Sequence, residues 1–586
     1  MSNVEPIYGS DLIVKILKQL GIEYVAFNPG ATFRGLHDSL VNYGGNSKPE
    51  IIQCCHEEIS VAIAHGYAKA TGKPMVAVLH DVVGLQHASM AIFNAWCDHV
   101  PVLLLGGTGP MDTTRRRPTI DWIHSALVQG NQIRDYVKWD DQPHNIYSVP
   151  NSLLRAYITG ITLPKGPVYV CLDIDVQENV IKSNKPVPEI NTFSLPTSPG
   201  PDPCSLEQIA QYLCKAEFPV VVSDYIGREE KAVNKLQELA EMLSMPVMDA
   251  GKWHRSVIFP NNHPLDLTGA EDEMLERADL VLALDVEDLY GILHKTWNCE
   301  GRANPLIKTK SKVVQISLKE LQRNSWVSTQ QEFQPVDVSL TADPAIALPQ
   351  LVVLCNKLLK SHGDNRREER FRELAHKHHR LRSEWLERAE SDAAKHPIAV
   401  SWLAHQIWQE IKGKNWVLTN GTLKGWARKI WDWDTTKRFM GVSGGAGLGY
   451  GIGASVGVAL AFRDTDKLCI DLQDDGDFLF APSALWTAAH YKLPLLIIIN
   501  NNRSYNNSER HQAQVAMSRN RDLKNAKIGT QLDNPEIDYT MLARSFGLHA
   551  EGPVTDPGKI AETIRRAIDV VLNDRRPVLV DVVTAD

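Results

Sequence analysis

The stretch DDGDFLFAPSALWTAAHYKLPLLIIINNNRSYNN, from Asp474 to Asn507, has acidic and amide side chains at the two ends of an apolar strand–helix–strand pattern. Asp475 follows the predicted strand LCIDLQ, and Asn502 follows the predicted strand LPLLIIIN. Because a helix between adjacent parallel strands returns the chain to the same sheet edge, both side chains can face one point. A carboxylate, an amide oxygen and a backbone carbonyl suit Mg²⁺. Taken alone, each end also fits a helix cap or a turn.

Short apolar runs alternate with helical patterns through most of the chain. YVAF (24–27), MVAVL (75–79), VPVLLLGG (100–107) and GPVYVCLDI (166–174) are typical of buried parallel strands. The alternation predicts the α/β class, with three doubly wound parallel-sheet domains. The predicted boundaries are 1–190 for the first domain, 191–203 for a linker, 204–345 for the central domain, 346–396 for a charged helical connector and 397–586 for the third domain.

Composition argues against several classes of function. The 586 residues include 62 Lys and Arg against 70 Asp and Glu, so no basic surface for nucleic acid is expected. The longest apolar runs have the length of strands, which argues against a membrane partner. The start MSNVEPIYGS lacks the pattern of a signal peptide, and the nine cysteines form no CxxC pair. We therefore expect a cytoplasmic protein with reduced thiols.

A second motif lies near the N-terminus, in CHEEISVAIAHGYAKATGKP (55–74). With the DDG and NN ends of the first stretch, it resembles the thiamine diphosphate enzymes, which include acetolactate synthases, benzoylformate decarboxylase and pyruvate decarboxylase. The family spacing E-x8-G-Y-A matches Glu57. Glu58 is one residue short, and we interpret it as a solvated neighbour. The resemblance implies that Glu57 is catalytic and shares a proton with the aminopyrimidine ring of the cofactor.

The resemblance also implies a metal site and a cofactor site in the third domain. Asp475 and Asn502 would supply side-chain oxygens to Mg²⁺, and Ser504 would supply its backbone carbonyl. Two acids depart from the family pattern, because Asp474 replaces the first glycine of the motif and Asp477 replaces a small residue. The cofactor-binding candidates in this domain are Asn420, Gly421, Thr422, Gly445, Ala446, Gly447, Leu448, Gly476, Asp477 and Tyr505.

One of these candidates has a specific role in the family. Leu448 lies in the glycine-rich segment SGGAGLGYGIG (443–453), and glycines let the backbone approach a ligand closely. The resemblance implies that Leu448 holds the cofactor in its bent form. Without that context, an ordinary core leucine is an equal alternative.

Two segments of the first domain are expected to face the reacting carbon. FNPGATF (27–33) resembles the family's NPG loop, and Asn28, Pro29 and Gly30 are cofactor-binding candidates. VLHDVVGLQHA (78–88) resembles the segment in which benzoylformate decarboxylase carries a catalytic histidine, and the matching residue is His80. A protonated imidazole there could stabilise an oxyanion or relay a proton, although a histidine packed in a loop is the alternative. Candidate substrate-lining residues are Asn28, Ala31, His80, Gln86, His87, His124 and the predicted loop 508–512.

The resemblance implies an enzyme that uses thiamine diphosphate and Mg²⁺ to cleave the C–C bond beside the carbonyl of a 2-oxo acid, as in non-oxidative decarboxylation by benzoylformate decarboxylase. Three alternatives stay open: a carboligase of the acetolactate synthase kind, a lyase or C–C hydrolase, and a catalytically silent homologue that binds cofactor. FAD is not expected, because the central domain lacks a glycine-rich phosphate fingerprint. Since the family holds its cofactor between subunits, we expect a homodimer or homotetramer.

Overall fold

The computed structural model describes residues 5–182, 193–250, 256–296, 303–322, 332–359 and 365–585. These residues form three main sheets of parallel strands with flanking helices, which confirms the predicted fold class. The predicted boundary at 190–191 and the extreme ends of the chain lie outside the described residues, so the domain limits stay predictions. Among these residues, no helix combines the length and the apolar sequence that crossing a membrane requires.

The first sheet has the strand order β2-β1-β3-β4-β6-β5. Every residue of β3 and β4 is buried, which explains why these runs are apolar without alternation. The strands are β1 (Tyr24–Phe27), β2 (Glu50–Gln53), β3 (Met75–Leu79), β4 (Val102–Thr108), β5 (Asp140–Asp141) and β6 (Val168–Asp173). The helices are α1 (Gly9–Gln19), α2 (Arg34–Asp38), α3 (Glu57–Thr71), α4 (Asp81–Cys97), α5 (Thr119–Ile123), α6 (Val149–Ile161) and α7 (Ile174–Glu178).

The central sheet has the order β13-β12-β9-β7-β8, and β10 pairs with β11 in a separate antiparallel hairpin. The strands are β7 (Pro219–Ser223), β8 (Val247–Asp249), β9 (Leu280–Leu284), β10 (His294–Thr296), β11 (Ala303–Pro305), β12 (Lys312–Ser317) and β13 (Val338–Thr341). The helices are α8 (Pro203–Lys215), α9 (Glu230–Leu243), α10 (Glu271–Arg277), α11 (Leu289–Leu293), α12 (Pro344–Leu359) and α13 (Asn365–Ser391). The long helix α13 contains the charged run 366–382, and most of its side chains reach solvent.

The third sheet has the order β14-β15-β16-β18-β17, with β15 and β16 paired in parallel. The strands are β14 (Trp416–Asn420), β15 (Leu468–Asp474), β16 (Leu495–Asn501), β17 (His549–Val554) and β18 (Val578–Val583). The helices are α14 (Val400–Ile411), α15 (Trp426–Ile430), α16 (Tyr450–Ala461), α17 (Asp475–Phe478), α18 (Ala484–His490), α19 (Asn506–Ser518), α20 (Tyr539–Ser545) and α21 (Ile560–Asn573).

Helices α3 and α16 join the first unit to the third through glycine contacts. A Cβ atom on Gly66 would lie 2.0 Å from the carbonyl oxygen of Ala454, and one on Gly457 would lie 2.0 Å from that of Ile63. A side chain at either position would force the two backbones apart. The same helices contribute apolar side chains to one buried cluster that includes both units. The start of α3, and with it Glu57, therefore lies at a tightly packed junction.

Candidate active site

Asp475 is the first residue of α17, directly after β15, and it is 1% exposed. Its Oδ1 atom accepts a hydrogen bond from the Gly476 amide at 2.9 Å. Its Oδ2 atom is buried and accepts none from the described part of the chain. Burial, with the nearby charge of Asp474, raises the pKa of Asp475 to about 7. A buried carboxylate that lacks a full set of donors suits a bound cation.

Asn502 and Ser504 follow β16, which is the neighbour of β15 in the sheet. The register pairs Asp474 with Asn500, so these residues and Asp475 lie at the same sheet edge. The side-chain oxygen of Asn502 accepts a hydrogen bond from the Ser504 amide at 3.0 Å. Two backbone hydrogen bonds join this segment to residues 530–532: the Tyr505 amide donates to the Thr530 carbonyl, and the Leu532 amide donates to the Arg503 carbonyl. Neither of these two bonds uses the Ser504 carbonyl. The donors are all oxygens, which is the set that Mg²⁺ prefers.

Asp474 occupies a backbone conformation that any residue can adopt. Its φ of −76° and ψ of 141° lie in the extended region, so the fold does not require glycine here. The carboxylate is exposed and accepts a hydrogen bond from the Asn500 side-chain amide at 2.8 Å. This departure from the family pattern therefore leaves the turn into α17 unstrained.

Asp477 connects α17 to the glycine-rich segment. Its Oδ1 accepts a hydrogen bond from the Gly449 amide at 2.7 Å, and its Oδ2 accepts one from the Gln473 side chain. Glu58 lies close by, because a Cβ on Gly449 would be 3.1 Å from Glu58 Oε1. Burial and the charge of Asp477 raise the pKa of Glu58 to about 7. The interpretation of Glu58 as a solvated neighbour was wrong, since the packing of α3 against α16 carries it to the third unit.

The glycine-rich segment packs against α4 of the first unit. The side chain of Asn94 accepts a hydrogen bond from the Gly447 amide at 3.2 Å and donates one to the Gly447 carbonyl at 3.4 Å. A Cβ on Gly447 would lie 2.3 Å from Met90 Cε, and one on Gly445 would lie 2.6 Å from Asn94 Oδ1. Ala446 has a φ of +53° and lies in the left-handed region. Leu448 is 43% exposed, so its side chain is available to contact a ligand.

Asn420 is the last residue of β14, and Gly421 and Thr422 follow it at the same edge of the third sheet. The Asn420 side chain donates to Asp471 Oδ1 at 3.1 Å, and the Thr422 hydroxyl accepts from the Gly425 amide at 3.1 Å. Gly421 has a φ of +73°, and a Cβ there would lie 1.8 Å from the Leu472 carbonyl. Glycine is therefore required at 421 by backbone conformation and by space. Gly476 is similarly restricted, because a Cβ on it would lie 2.6 Å from the ring of Tyr505.

Glu57 is the first residue of α3 and is 5% exposed. Its carboxylate lies against Gly84 of α4, where a Cβ would be 2.9 Å from Glu57 Oε1. His87 Nδ1 is 3.4 Å from Glu57 Oε2, and the His87 ring stacks on His56 with the centroids 4.8 Å apart. The sequence did not indicate that Gly84 makes room for the predicted catalytic acid.

His80 lies between β3 and α4, beside the NPG loop. A Cβ on Gly30 would lie 2.4 Å from His80 Cγ, so Gly30 leaves space for the imidazole ring. His80 Nδ1 and Thr32 Oγ1 form a hydrogen bond at 2.9 Å. Burial, and then the neighbouring imidazole of His124, lower the pKa of His80. The idea of a protonated imidazole is therefore disfavoured, and the neutral ring is the expected form at neutral pH.

The other predicted lining residues have different surroundings. Asn28 is half-buried, while Pro29, Ala31 and Gln86 are exposed. Residues 508–512 belong to α19, so the prediction of a loop there was wrong. Within that helix, Glu509 accepts hydrogen bonds from the Ser504 hydroxyl at 3.1 Å and from Gln531 at 2.8 Å.

Sequence reasoning missed Asp81, which follows His80 and begins α4. Asp81 is fully buried, and burial together with the charges of Asp121 and Asp173 raises its pKa to about 7. Its φ of +50° is in the left-handed region that few residues other than glycine adopt. An acid at the end of a buried strand is the signal that identified Asp475, and a similar signal was present here, because Asp81 lies two residues after the end of β3.

A cavity of about 440 Å³ lies at the carboxyl edge of the central sheet, against the first and third units. Its lining includes Lys165, Arg228, Asp285, Ser317 and Lys437. Arg228 forms ion pairs with Asp285 at 2.7 Å and Asp343 at 3.0 Å, so its charge is balanced within the protein. The expectation that FAD is not a cofactor stays a prediction.

Three family models match the chain in the order of its three sheets. They describe the N-terminal TPP binding domain of thiamine pyrophosphate enzymes at residues 7–131, the central domain at 206–351 and the C-terminal TPP binding domain at 419–582. The chain therefore belongs to the thiamine pyrophosphate enzymes, which confirms the family inferred from the motifs.

Individual relatives are distant but cover nearly the whole chain. Acetolactate synthase 3, chloroplastic, of Brassica napus is 25% identical over 613 residues, covering 99% of this chain and 84% of that protein. The solved structure of benzoylformate decarboxylase from Polynucleobacter necessarius has a TM-score of 0.77 at 19% identity and covers 99% of both chains. A thiamine diphosphate-dependent 4-hydroxybenzoylformate decarboxylase from Rhodococcus jostii has a TM-score of 0.75 at 20% identity, again over 99% of both chains. At these identities the structural likeness shows the fold alone.

Proposed function

We propose that this thiamine pyrophosphate enzyme depends on Mg²⁺ and cleaves the C–C bond beside the carbonyl of a 2-oxo acid, in the manner of a non-oxidative decarboxylase. The observation that carries the proposal is the buried Oδ2 of Asp475, which lacks a hydrogen bond and lies at the sheet edge shared with Asn502. The buried carboxylate of Glu57 in the first unit supplies the acid that the chemistry needs.

The residues present fit the cofactor and its metal. Asp475, Asn502 and the Ser504 carbonyl would hold Mg²⁺, because they offer oxygens of the kind this ion prefers. Gly421 and Gly476 would let the backbone approach a diphosphate, because neither position has space for a side chain. When bound, thiamine diphosphate supplies an electron-accepting thiazolium that allows a bond next to a carbonyl to break.

The chain's own side chains would orient the ligand and move protons. Glu57 would exchange a proton with the aminopyrimidine ring, which requires a carboxylate held away from water. The exposed Leu448 would support the bent form of the cofactor. His80 Nδ1 forms a hydrogen bond with the Thr32 hydroxyl, so Nε2 is the ring nitrogen left to contact a ligand.

We also propose that the active site is shared between subunits of a homodimer or homotetramer. Glu57 belongs to the first unit and Asp475 to the third, and it is Glu58, not Glu57, that lies beside Gly449 and Asp477 of the same chain. Glu57 would then serve the cofactor held by the third unit of a second copy. A monomer with full activity, measured by light scattering during turnover, would contradict this arrangement.

A product assay tests the reaction type. The protein would be incubated with thiamine diphosphate, Mg²⁺ and a panel of 2-oxo acids that includes pyruvate and benzoylformate, with the products identified by NMR. Release of CO₂ and an aldehyde is the expected result. Formation of 2-hydroxy-2-acyl acids would instead support a carboligase like the acetolactate synthases that the chain resembles.

A second measurement separates an active enzyme from a cofactor-binding homologue without needing the substrate. Exchange of the C2 proton of bound thiamine diphosphate for deuterium should be fast in the wild type. We expect Glu57→Gln to slow it roughly 10²- to 10⁴-fold, because the proton acceptor is lost. Glu58→Gln is the matched control at the adjacent position and should exchange like the wild type. Slow exchange in the wild type would support the silent homologue.

A further inference from the structure

The carboxyl end of β3 has a group of buried polar atoms without partners. His80, Asp81 and His124 each place one imidazole nitrogen or carboxylate oxygen within 4.8 Å of the others. Asp81 is 0% exposed, and neither of its oxygens accepts a hydrogen bond from any residue that the structure describes. The buried Nδ1 atom of His124 also lacks one. Buried polar atoms are rarely left without partners, so three of them on two residues of one cluster indicate a bound group.

Contacts around this cluster hold its members in place. The rings of His80 and His124 meet edge to face, with the centroids 5.5 Å apart. The Val82 amide donates to the His124 carbonyl at 3.3 Å, which fixes the segment of His124 against the start of α4. In the tautomer in which His80 Nδ1–H donates to the Thr32 hydroxyl, Nε2 carries the lone pair that can bind a metal ion. Such outer contacts are typical of histidines that bind metals.

The charges around the cluster favour a cation. Asp121 and Asp173 are both buried, and both raise the pKa of Asp81 by repulsion. The Gly109 amide donates to the Ser125 hydroxyl at 2.8 Å, and its attraction for Asp81 opposes the rise in the pKa of that carboxyl without cancelling it. A positive charge between the imidazoles and Asp81 would offset this repulsion and satisfy the unpartnered atoms together.

We propose that His80, Asp81 and His124 bind a divalent transition-metal ion such as Zn²⁺, at a site separate from the Mg²⁺ site of Asp475. Two imidazole nitrogens and one carboxylate oxygen match Zn²⁺, whereas Mg²⁺ prefers oxygens alone. With bonds of about 2.1 Å, tetrahedral ligand atoms lie about 3.4 Å apart, so ligand atoms that are within 4.8 Å of one another need to close by at most about 1.4 Å around the ion. Three protein ligands leave a position for water or for an oxygen of an acid substrate.

A second group in the described residues also combines two histidines and one acid, but its surroundings differ from those of the Asp81 cluster. Its members are His56, Glu57 and His87. Its members already contact one another, since His87 Nδ1 is 3.4 Å from Glu57 and the two imidazoles stack. The His87 side chain is 57% exposed. This group serves as the internal comparison for the test, because a metal bound there would involve Glu57.

The test measures metal content, and it needs neither thiamine diphosphate nor substrate. The full-length protein is stripped with a chelator, saturated with Mg²⁺ and titrated with Zn²⁺ by calorimetry, with the bound zinc quantified by elemental analysis. We expect one tight zinc per chain. Asp81→Asn and His124→Gln should each weaken it by roughly 100-fold or more, since even loss of an outer contact costs up to that factor. Co²⁺ in place of Zn²⁺ should give visible absorption bands that both variants lose.

Two control variants make the result specific. His144→Gln removes an exposed histidine outside both groups, and His87→Gln removes a member of the second group. Both should bind zinc like the wild type. A wild type that binds no zinc once Mg²⁺ is saturated would overturn the proposal, as would loss of zinc in His87→Gln alone. Circular dichroism of each variant identifies loss of zinc that results from misfolding. Because no turnover is measured, failure here is distinguishable from failure of the proposed reaction.

Discussion

Asp475 and Asp81 each begin a helix at the carboxyl end of a buried parallel strand, Asp475 directly after β15 in the third sheet and Asp81 two residues after β3 in the first. Both carboxyls are buried, both contain oxygens without hydrogen bonds, and burial raises the pKa of each to about 7. The neighbours differ, because an amide and a backbone carbonyl accompany Asp475 while two imidazoles accompany Asp81. The strand end places the acid, and its neighbours determine which ion it can bind.

The two strand ends are also connected through the packing of the units. Asn94 of α4, the helix that Asp81 begins, is hydrogen-bonded to Gly447 of the glycine-rich segment. Asp477 of α17, the helix that Asp475 begins, is bonded to Gly449 in the same segment. Residues 443–449 therefore contact both α4 and α17. Substitutions of Asp81 and of Asp475 can accordingly be compared by their effect on binding of the same cofactor.

The largest expected difference concerns Mg²⁺-dependent binding of thiamine diphosphate. Asp475→Asn should weaken Mg²⁺ by roughly 100-fold or more, because a neutral amide replaces the only charged ligand proposed there. The rise in melting temperature that thiamine diphosphate and Mg²⁺ produce together should then disappear. Asp81→Asn should keep that rise, and Asp474→Asn is the matched control at the adjacent position. If Asp475→Asn and Asp81→Asn lost this rise in melting temperature equally, the two acids would not bind different ions as proposed.

A change of one methyl group tests the position of Glu57. The Cβ of Gly84→Ala would lie 2.9 Å from Glu57 Oε1, so the carboxylate must move while the helix backbone stays. Displacement of a reacting group by up to 1 Å costs up to about 10²-fold in rate, and we expect roughly a 10-fold decrease in kcat/KM with little change in melting temperature. Gly160→Ala in α6, where the nearest atom would be 3.4 Å away, is the control. Unchanged activity in Gly84→Ala would argue against a catalytic role for Glu57.

A smaller effect is expected at the contact between the units. Asn94→Ala leaves the amide and carbonyl of the half-buried Gly447 without their side-chain partner, and we expect a loss of about 1 kcal/mol, because water can replace part of the lost hydrogen bonding. The melting temperature should fall by a few degrees, and binding of thiamine diphosphate should weaken several-fold. Asn42→Ala, which removes an exposed bond to Asp38, should change neither quantity. A loss of stability without any change in cofactor binding would restrict Asn94 to a structural role.

The smallest effect is a dependence of stability on pH at Glu58. Its pKa is raised from 4.5 to about 7 in the folded protein, so the folded state binds more protons between these values. Stability contributed by this group therefore falls as pH rises from about 4.5 to about 7, and the loss persists above. Glu58→Gln should stabilise the protein by roughly 1 kcal/mol at pH 8 and by almost nothing at pH 4, since solvent screening limits the effect at a partly exposed site. Denaturant melts at both pH values measure it, and an equal gain at both would show that Glu58 does not titrate as described.

The fold was predictable because strand–helix alternation is a local pattern. The runs at β1 and β3 are apolar throughout, and those at β4 and β6 are apolar up to the polar residue that ends each strand, as expected for strands covered on both faces. The residues of the proposed metal site could be predicted from the sequence for the same reason, because the carboxyl ends of adjacent parallel strands meet at one edge of the sheet. The surroundings of Glu58 could not be predicted from the sequence, because they depend on the packing of α3 against α16 at glycines that are far apart in the chain. The lowered pKa of His80 likewise depends on its burial in the folded chain and then on His124, which lies beyond β4.

The backbone conformation at Asp474 bears on how the metal-binding motif of this family is recognised in a sequence. Its extended dihedral angles are open to every amino acid, so the glycine usually written first in the motif is a preference of its surroundings and not a demand of the turn. Degenerate members of the family are therefore better diagnosed by loss of the acid one position later, or of the amide after the next strand. By that criterion, the sequence DDG is compatible with the proposed ion site, because Asp475 and Asn502 are both present.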